Sequence, residues 1–527
     1  MRLKGGSKLK TFTSPLKELK EFNDIRDNLK LKNTPVQVTG CIDSQKCHLI
    51  SGLGEGYPWK LIITYNDMKA KEIYEDYKLY DKNVYMYPAK DIIFYSADIH
   101  GNALVKDRLK ILRKLIEQEP VTIITTLDGG MDKILPLDFL IESVITIEEA
   151  STVDFTKLQE ELIHLGYERL GQVEGPGEFA VRGGILDIYP PTEDSPYRIE
   201  LWGDEVDSIR AFDVNSQRSI ENVKSIKIYP ATEMVLSKER MMEGLKKIES
   251  EKKQYVEKLR KQFKTEEAAR IQNIIDEFKE NIVSFQGFVC IDSYINYFYD
   301  KTVSLFDYFD GDQSIIFIDE PSRILEKGEA VEMEFREGMI GRIEKGYILP
   351  GQSDVIYSYK ELVANLNRKN TILLSTMEHK ASAFTVKSKY DFTVRSVNPY
   401  NNNFDVLIKD LAKWKKNGYR ILLLTGSRTR AKRLSEDLMD HDLTAFYSED
   451  MDRVIQKGEI MIAYGSIHRG FEYPLIKFVI ISESDIFGTE KKKKRKIKEY
   501  DGKKIHSFND LNIGDYVVHE NHGLGVY

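Results

Sequence analysis

With 527 residues, 41% of them hydrophobic and 31% charged, the chain is too long for one ordinary core and too apolar to be disordered. No apolar run reaches the roughly 18 residues that a membrane-spanning helix needs, and the basic opening MRLKGGSKLK lacks the apolar stretch of a secretory signal. A net charge of −7 excludes a globally basic polyanion binder, and Cys41, Cys47 and Cys290 form no metal-ligand cluster, so a reducing, cytoplasmic setting is expected.

In chain order, the first informative element is the apolar run 36–39 (VQVT), which leads into Gly40-Cys41-Ile42-Asp43-Ser44-Gln45-Lys46-Cys47. A Walker A loop needs G-x-x-x-x-G-K-[ST] between a strand and a helix. Its glycines let backbone N–H groups wrap phosphate, its lysine reaches the β/γ-phosphates, and its hydroxyl ligates Mg²⁺. Gly40 and Lys46 stand at the right spacing. Gln45 replaces the second glycine and puts a side chain where backbone should approach phosphate. Cys47 replaces the hydroxyl residue with a soft thiol poorly suited to Mg²⁺, and Asp43 adds a negative charge. A chance glycine and lysine would explain the match equally well if it stood alone.

Runs at 61–64 (LIIT), 121–125 (VTIIT) and 315–318 (IIFI) read as buried parallel strands, joined by helices such as 105–116, whose Leu109, Leu112 and Ile116 share one face. The run 315–318 ends in Asp319-Glu320, a good Walker B: a carboxylate for Mg²⁺ and one to polarise water at a strand's carboxyl end. No Q-x-x-G-R-x-x-R segment supplies an arginine finger. Together these features predict a RecA-like α/β domain whose catalytic loop has decayed.

Two zones interrupt the alternation. Residues 177–212 are rich in turns and period-2 strands, as in Arg198-Ile199-Glu200-Leu201-Trp202, and predict an inserted α+β domain. Asp204 and Glu205 follow Gly203 in a hairpin turn, which accounts for them without acid–base chemistry. Residues 238–280 predict helices packed on one face through Tyr255, Leu259, Phe263, Ile271 and Ile275, with a solvated arm as the plainer alternative. Further strands at 421–424, 460–463 and 478–481 predict a second, smaller α/β domain. The like-charged run from Lys491 to Lys498 reads as a linker, with at most weak, non-specific nucleic-acid binding. His519 and His522 have no third ligand nearby and read as structural.

The most specific stretch is Gly177-Glu178-Phe179-Ala180-Val181-Arg182-Gly183, then Asp187-Ile188-Tyr189-Pro190, then 198–213 (RIELWGDEVDSIRAFD). It resembles domain 2 of UvrB and of the transcription-repair coupling factors (Mfd). The stretch 511–527 (LNIGDYVVHENHGLGVY) is similar to the first strands of the CarD-like, RNA-polymerase-interacting domain of the latter, and 482–488 looks like the end of their third domain. UvrB has an intact phosphate loop and a long aromatic DNA-clamping hairpin, for which 88–102 is too short here.

The resemblance implies a non-catalytic UvrB-like module that recruits UvrA to stalled RNA polymerase, with Arg182, Arg169 and Phe179 in the contact; the residues also allow Arg182 to pair with Asp187 or Glu200 across the sheet and Phe179 to be core. It further implies polymerase binding through the domain that begins near Phe508, a motor using ATP and Mg²⁺ that lies beyond this chain, and masking of the UvrA surface in the intact protein. Gly40, Gln45, Lys46, Cys47, Asp319 and Glu320 form the degenerate nucleotide site, with no cofactor expected. The competing expectation is an ATP-dependent, UvrB-like damage-loading protein. The expected boundaries are 1–136 and 227–350 for the first α/β domain, 137–226 for the insert, 351–489 for the small α/β domain, 490–505 for the linker and 506–527 for the polymerase-binding start.

Overall fold

The structure is a computed structural model that describes residues 9–90, 102–283, 291–378, 383–488, 516–519 and 523–526. The basic run from Lys491 to Lys498, Phe508, Cys290, His522 and most of 88–102 lie outside the described residues.

The first unit is a seven-stranded sheet, all parallel, in the order Ser388–Asp391, Val36–Thr39, Thr371–Leu374, Ser314–Asp319, Trp59–Thr64, Val121–Thr126, Val84–Met86. Its inner strands are near-continuous apolar runs, and Ser314–Asp319 and Val121–Thr126 are buried at every position. That composition is what a sheet covered on both faces requires. The expected α/β class with a parallel sheet is therefore present. The boundary at 351 is corrected, because Tyr359–Leu366, Thr371–Leu374 and Ser388–Asp391 belong to this unit and not to the next. Thr371–Leu374 lies between two strands far away in sequence, a position no local pattern encodes.

The insert runs from Ile145–Glu148 to its antiparallel partner Ser225–Ile228. The helix Leu137–Glu142 precedes it, so the expected limits 137 and 226 both shift. Between them lies a six-stranded sheet in the order Ser219–Asn222, Glu205–Phe212, Tyr197–Trp202, Ile185–Tyr189, Glu178–Arg182, Glu168–Leu170. Only the last pair is parallel. The helix Phe155–His164 covers one face with Leu158 and Leu162, against Phe179, Leu186, Ile188, Ile199 and Ile209.

A buried ionic joint ties the exit of the insert to the first unit. Arg108 Nε donates to Glu233 at 2.6 Å, and Arg108 Nη1 donates to Asp132 at 3.0 Å and to the Pro88 carbonyl at 3.1 Å. Lys90 pairs with Glu233 and, at 2.6 Å, with Asp292. Burial opposes ionisation of Glu233, but Arg108 and Lys90 outweigh it and hold the carboxyl down to about 2.

The helices Lys238–Lys261 and Thr265–Val283 pack on the first unit through Tyr255, Leu259, Ile271 and Ile275, so they are not a solvated arm. Phe263 departs from the expected face. The first helix ends at Lys261, Phe263 takes a left-handed φ of 62°, and its ring is left in solvent.

The second unit is a mixed six-stranded sheet, ordered Arg395–Ser396, Phe471–Tyr473, Phe478–Ile481, Arg420–Thr425, Ile460–Tyr464, Phe446–Tyr447. It shares one apolar core with the first unit: Val38, Ile62 and Phe317 lie in the same cluster as Leu422, Met461, Phe471 and Ile480. A separate hairpin pairs Tyr516–His519 with Gly523–Val526.

Candidate docking face and the altered nucleotide site

The strand Val36–Thr39 turns through Gly40 into the helix Asp43–Leu53, as a phosphate loop should. Gly40 has a φ of 75°, and a Cβ there would stand 2.1 Å from the Phe392 carbonyl oxygen. Only glycine fits, but what approaches it is the protein's own backbone. Lys46 Nζ donates to Asp319 and Glu320, each at 2.6 Å. Thr64 Oγ1 donates to the second Asp319 oxygen at 2.9 Å, and Thr376 donates to Glu320 from its N–H at 2.9 Å and its hydroxyl at 2.7 Å. Burial would depress Lys46, but the two carboxylates overcome it and hold the ammonium above the usual lysine range. Burial raises Glu320, and Lys46 outweighs it, so this carboxyl lies below its ordinary value.

Gln45 sits in the first turn of the helix and is fully buried. Its Oε1 accepts the Ile42 N–H at 3.1 Å, and its Nε2 donates to the Tyr473 hydroxyl at 2.8 Å. The chain of bonds continues to His48. The Phe12 carbonyl, 2.9 Å from His48 Nε2, can only accept, so Nε2 carries the proton and Nδ1 accepts from the Tyr473 hydroxyl at 3.1 Å. Four bonds thus run through Gln45, Tyr473 and His48 and join the loop, the second unit and the first helix. Burial holds His48 down to about 4. Ser44 Oγ accepts the Arg469 N–H at 3.0 Å, and Cys47 Sγ donates to the Ile73 carbonyl at 3.8 Å. Burial pushes the Cys47 thiol well above its ordinary value, so it offers no thiolate. The six expected site residues are therefore brought together, with their polar atoms held by other protein groups.

The uncovered face of the inserted sheet is built by strand alternation. Asp187 pairs in register with Ala180 and Arg198, and Ile185 with Arg182 and Glu200. Asp187 is 1% exposed, yet it carries two arginines. Arg198 Nε donates to it at 2.7 Å and Arg198 Nη2 at 2.9 Å, while Arg182 Nη2 donates at 2.8 Å. Arg198 also stacks on Phe212 at 4.7 Å. Arg182 keeps half its side chain in solvent, and its other donors meet no protein acceptor among the described residues.

The three expected contact residues separate here. Arg169 is exposed on the edge strand, but its parallel register beside Phe179 turns it to the face opposite Arg182. Phe179 is 0% exposed, with Leu158 and Ile188 in the same core, and is corrected from contact to core. An aromatic within a period-2 strand is buried or bare according to parity. In Glu178–Arg182, parity places Phe179 on the helix-covered side.

The same rule exposes what was missed. In Arg198-Ile199-Glu200-Leu201-Trp202 the tryptophan falls on the polar side of the alternation, and it is 86% exposed. Tyr473 and His48 carried no local signal, because their partners lie hundreds of residues away.

A family model described as the UvrB interaction domain matches residues 145–234, and one described as the MFD D3 domain matches residues 414–486. The first coincides with the insert and the second with most of the second unit. The transcription-repair-coupling factor of Bacillus subtilis is 32% identical over 88% of this chain and 39% of its own length. Those of Staphylococcus epidermidis and Staphylococcus aureus are 29% and 27% identical over 93% and 98% of this chain, or 42% and 43% of their own lengths. The chain thus spans about two-fifths of the curated relatives it matches. Two family models in succession, with identity running along nearly the whole chain, make it similar to the transcription-repair-coupling factors over about two-fifths of their length.

Proposed function

We propose that this chain is a nucleotide-independent docking module that brings UvrA to a stalled RNA polymerase in transcription-coupled excision repair. The observation that carries it is Arg182, half in solvent and fixed by a buried carboxylate on the uncovered face of the UvrB interaction domain. A pre-oriented guanidinium loses little freedom on binding and pairs bidentately with a carboxylate. Arg169, on the other face of the edge strand, contributes where the partner wraps around that edge.

The module itself performs no ATP chemistry. The Lys46 ammonium is already paired with both Walker B carboxylates, and Gln45 and Ser44 are tied to the second unit. ATP, Mg²⁺ and DNA translocation belong to a motor outside this chain, and polymerase contact belongs to the domain opened by the Tyr516–His519 hairpin. Residues 491–498 add at most weak, salt-sensitive nucleic-acid binding. A cytoplasmic setting is part of this proposal; no helix among the described residues is long and apolar enough to cross a membrane.

Two measurements test this reading. Calorimetric titration of the chain with UvrA should give a defined complex that Arg182→Ala weakens; equal affinity would remove the site assignment. Titration with ATP and Mg²⁺ should give no saturable heat; tight binding would favour a UvrB-like, ATP-dependent loading protein instead.

A further inference from the structure

Among the described residues of the inserted sheet, Trp202 is the most exposed large apolar side chain, ahead of Ile220 and Leu170, and the fold gives no packing reason for it. Trp202 ends the strand Tyr197–Trp202 and is 86% exposed. Its neighbours follow from register. Arg182 pairs with Ile185, Ile185 pairs with Glu200, and Trp202 lies two residues beyond Glu200 on the same face. The Leu201 N–H donates to the Gly184 carbonyl at 2.8 Å, which draws the end of the tryptophan strand against the Gly183-Gly184 turn. A Cβ at Gly184 would come 2.8 Å from the Leu201 carbonyl oxygen, so glycine is what allows the approach. Arg182 and Trp202 therefore stand at the same end of one face, on adjacent hairpins.

A bare indole of this size is unfavourable in water unless it is covered in some state of the protein. Covering it takes about 150–250 Å² of largely apolar surface out of water, which favours association. Tryptophan and arginine side by side are the composition that dominates measured interface energies. Both are held before any partner arrives: Arg182 by Asp187, Trp202 by the paired strand ends.

We infer that Trp202, with Arg182, forms the centre of the docking face, and that it fits a protein surface offering a carboxylate beside an apolar recess. The indole enters the recess, and the outer edge of the guanidinium meets the carboxylate. The identity of that surface as UvrA rests on the function proposed above. The aromatic anchor is thus Trp202, and Phe179 supports it only by shaping the sheet from behind.

The test uses the full chain labelled with 5-fluorotryptophan, whose three indoles are Trp59, Trp202 and Trp414. Of these, Trp202 is the exposed one. Its fluorine resonance, assigned by Trp202→Phe, should lose its H₂O/D₂O solvent shift when unlabelled UvrA is added. Trp202→Ala should weaken UvrA binding at least tenfold with an unchanged melting midpoint, while Trp202→Phe retains most of the affinity. Combined with Arg182→Ala, the loss should be smaller than the product of the two single losses, because the residues share one contact.

Wild-type affinity for Trp202→Ala, or a solvent shift that persists in the complex, overturns the inference while leaving the docking function standing. No binding by the wild-type chain removes both. Self-association that Trp202→Ala abolishes, with UvrA affinity unchanged, identifies a second copy of this chain as the occupant and overturns the assignment to UvrA.

Discussion

Replacing Tyr473 with phenylalanine removes one oxygen and keeps the ring that packs beside Phe471 and His48. That oxygen accepts from Gln45 Nε2 at 2.8 Å and donates to His48 Nδ1 at 3.1 Å. Gln45, His48 and Tyr473 are all buried, so no water replaces the lost partner. One amide donor and one imidazole acceptor are left unpaired, at about 1–3 kcal/mol each. Relief from keeping the phenol oxygen buried offsets part of this, and a net loss of about 2–4 kcal/mol is expected. Because the latch joins two units, the loss should appear as local opening. Native-state hydrogen exchange of the amides in Asp43–Leu53 and Phe471–Tyr473 reads that free energy directly. The double variant with Gln45→Leu should lose less than the sum of the two single variants, since both break the same bond. Exchange in these segments within about 0.5 kcal/mol of wild type would refute the latch.

Acid should act on the same place. Burial holds His48 at about 4 against 6.5 for an unburied imidazole, so between these values the unfolded chain binds a proton that the folded chain refuses. Stability is therefore full above pH 6.5 and falls as pH drops towards about 4, by about 3 kcal/mol at 1.36 kcal/mol per unit. His48→Gln should flatten that part of a urea-stability profile, and an unchanged slope would exonerate the imidazole. Arg108→Ala should destabilise by about 3–5 kcal/mol, because Glu233 and Asp132 lose their shared guanidinium inside the protein; a melting curve within a degree of wild type would contradict that account. Phe179→Ala should lower the stability of the insert by about 3–5 kcal/mol through a core cavity. Trp202→Ala should cost almost nothing in the same denaturation assay, and reversed behaviour would mean that the two faces of the sheet have been exchanged.

Three neighbouring positions of the phosphate-loop frame, Lys46 retained and Gln45 and Cys47 changed, differ in what their side chains do. Lys46 retains a role that any Walker lysine can fill, an ion pair with the acidic end of Ser314–Asp319. Cys47 simply packs, with its thiol turned to the Ile73 carbonyl. Gln45 does more than spoil a glycine: its amide caps the first turn of the helix with one end and reaches the second unit with the other. A single side chain thus caps the helix and fastens the neighbouring unit to it.

How much of this was legible depends on the range of the interaction that decides it. The parallel strands, the Walker-like loop and the helix after it were readable, because apolar runs and turn residues act over a few positions. So was the hairpin at Gly203-Asp204, whereas Trp202 was not singled out, although its parity with Arg198 and Glu200 puts it on the polar side. Parity also marked Phe179 as a candidate for either face, but its burial needed the Phe155–His164 helix to lie over one side of the sheet. The same holds for Arg169 and Arg182, which look alike in sequence and face opposite ways once the edge strand pairs in parallel.

The class of fold, the resemblance to a family and the replaced residues of the phosphate loop are all written in local composition and spacing. The assembled fold settles which strands join the first sheet after residue 351, and that Tyr473 and His48 close a network begun at Gln45. It also decided between roles the sequence left open: Arg182 is held by a buried Asp187, and Phe179 is core. Those outcomes depend on contacts between segments hundreds of residues apart, or on which side of a strand becomes covered, and neither leaves a mark within a window of neighbouring residues.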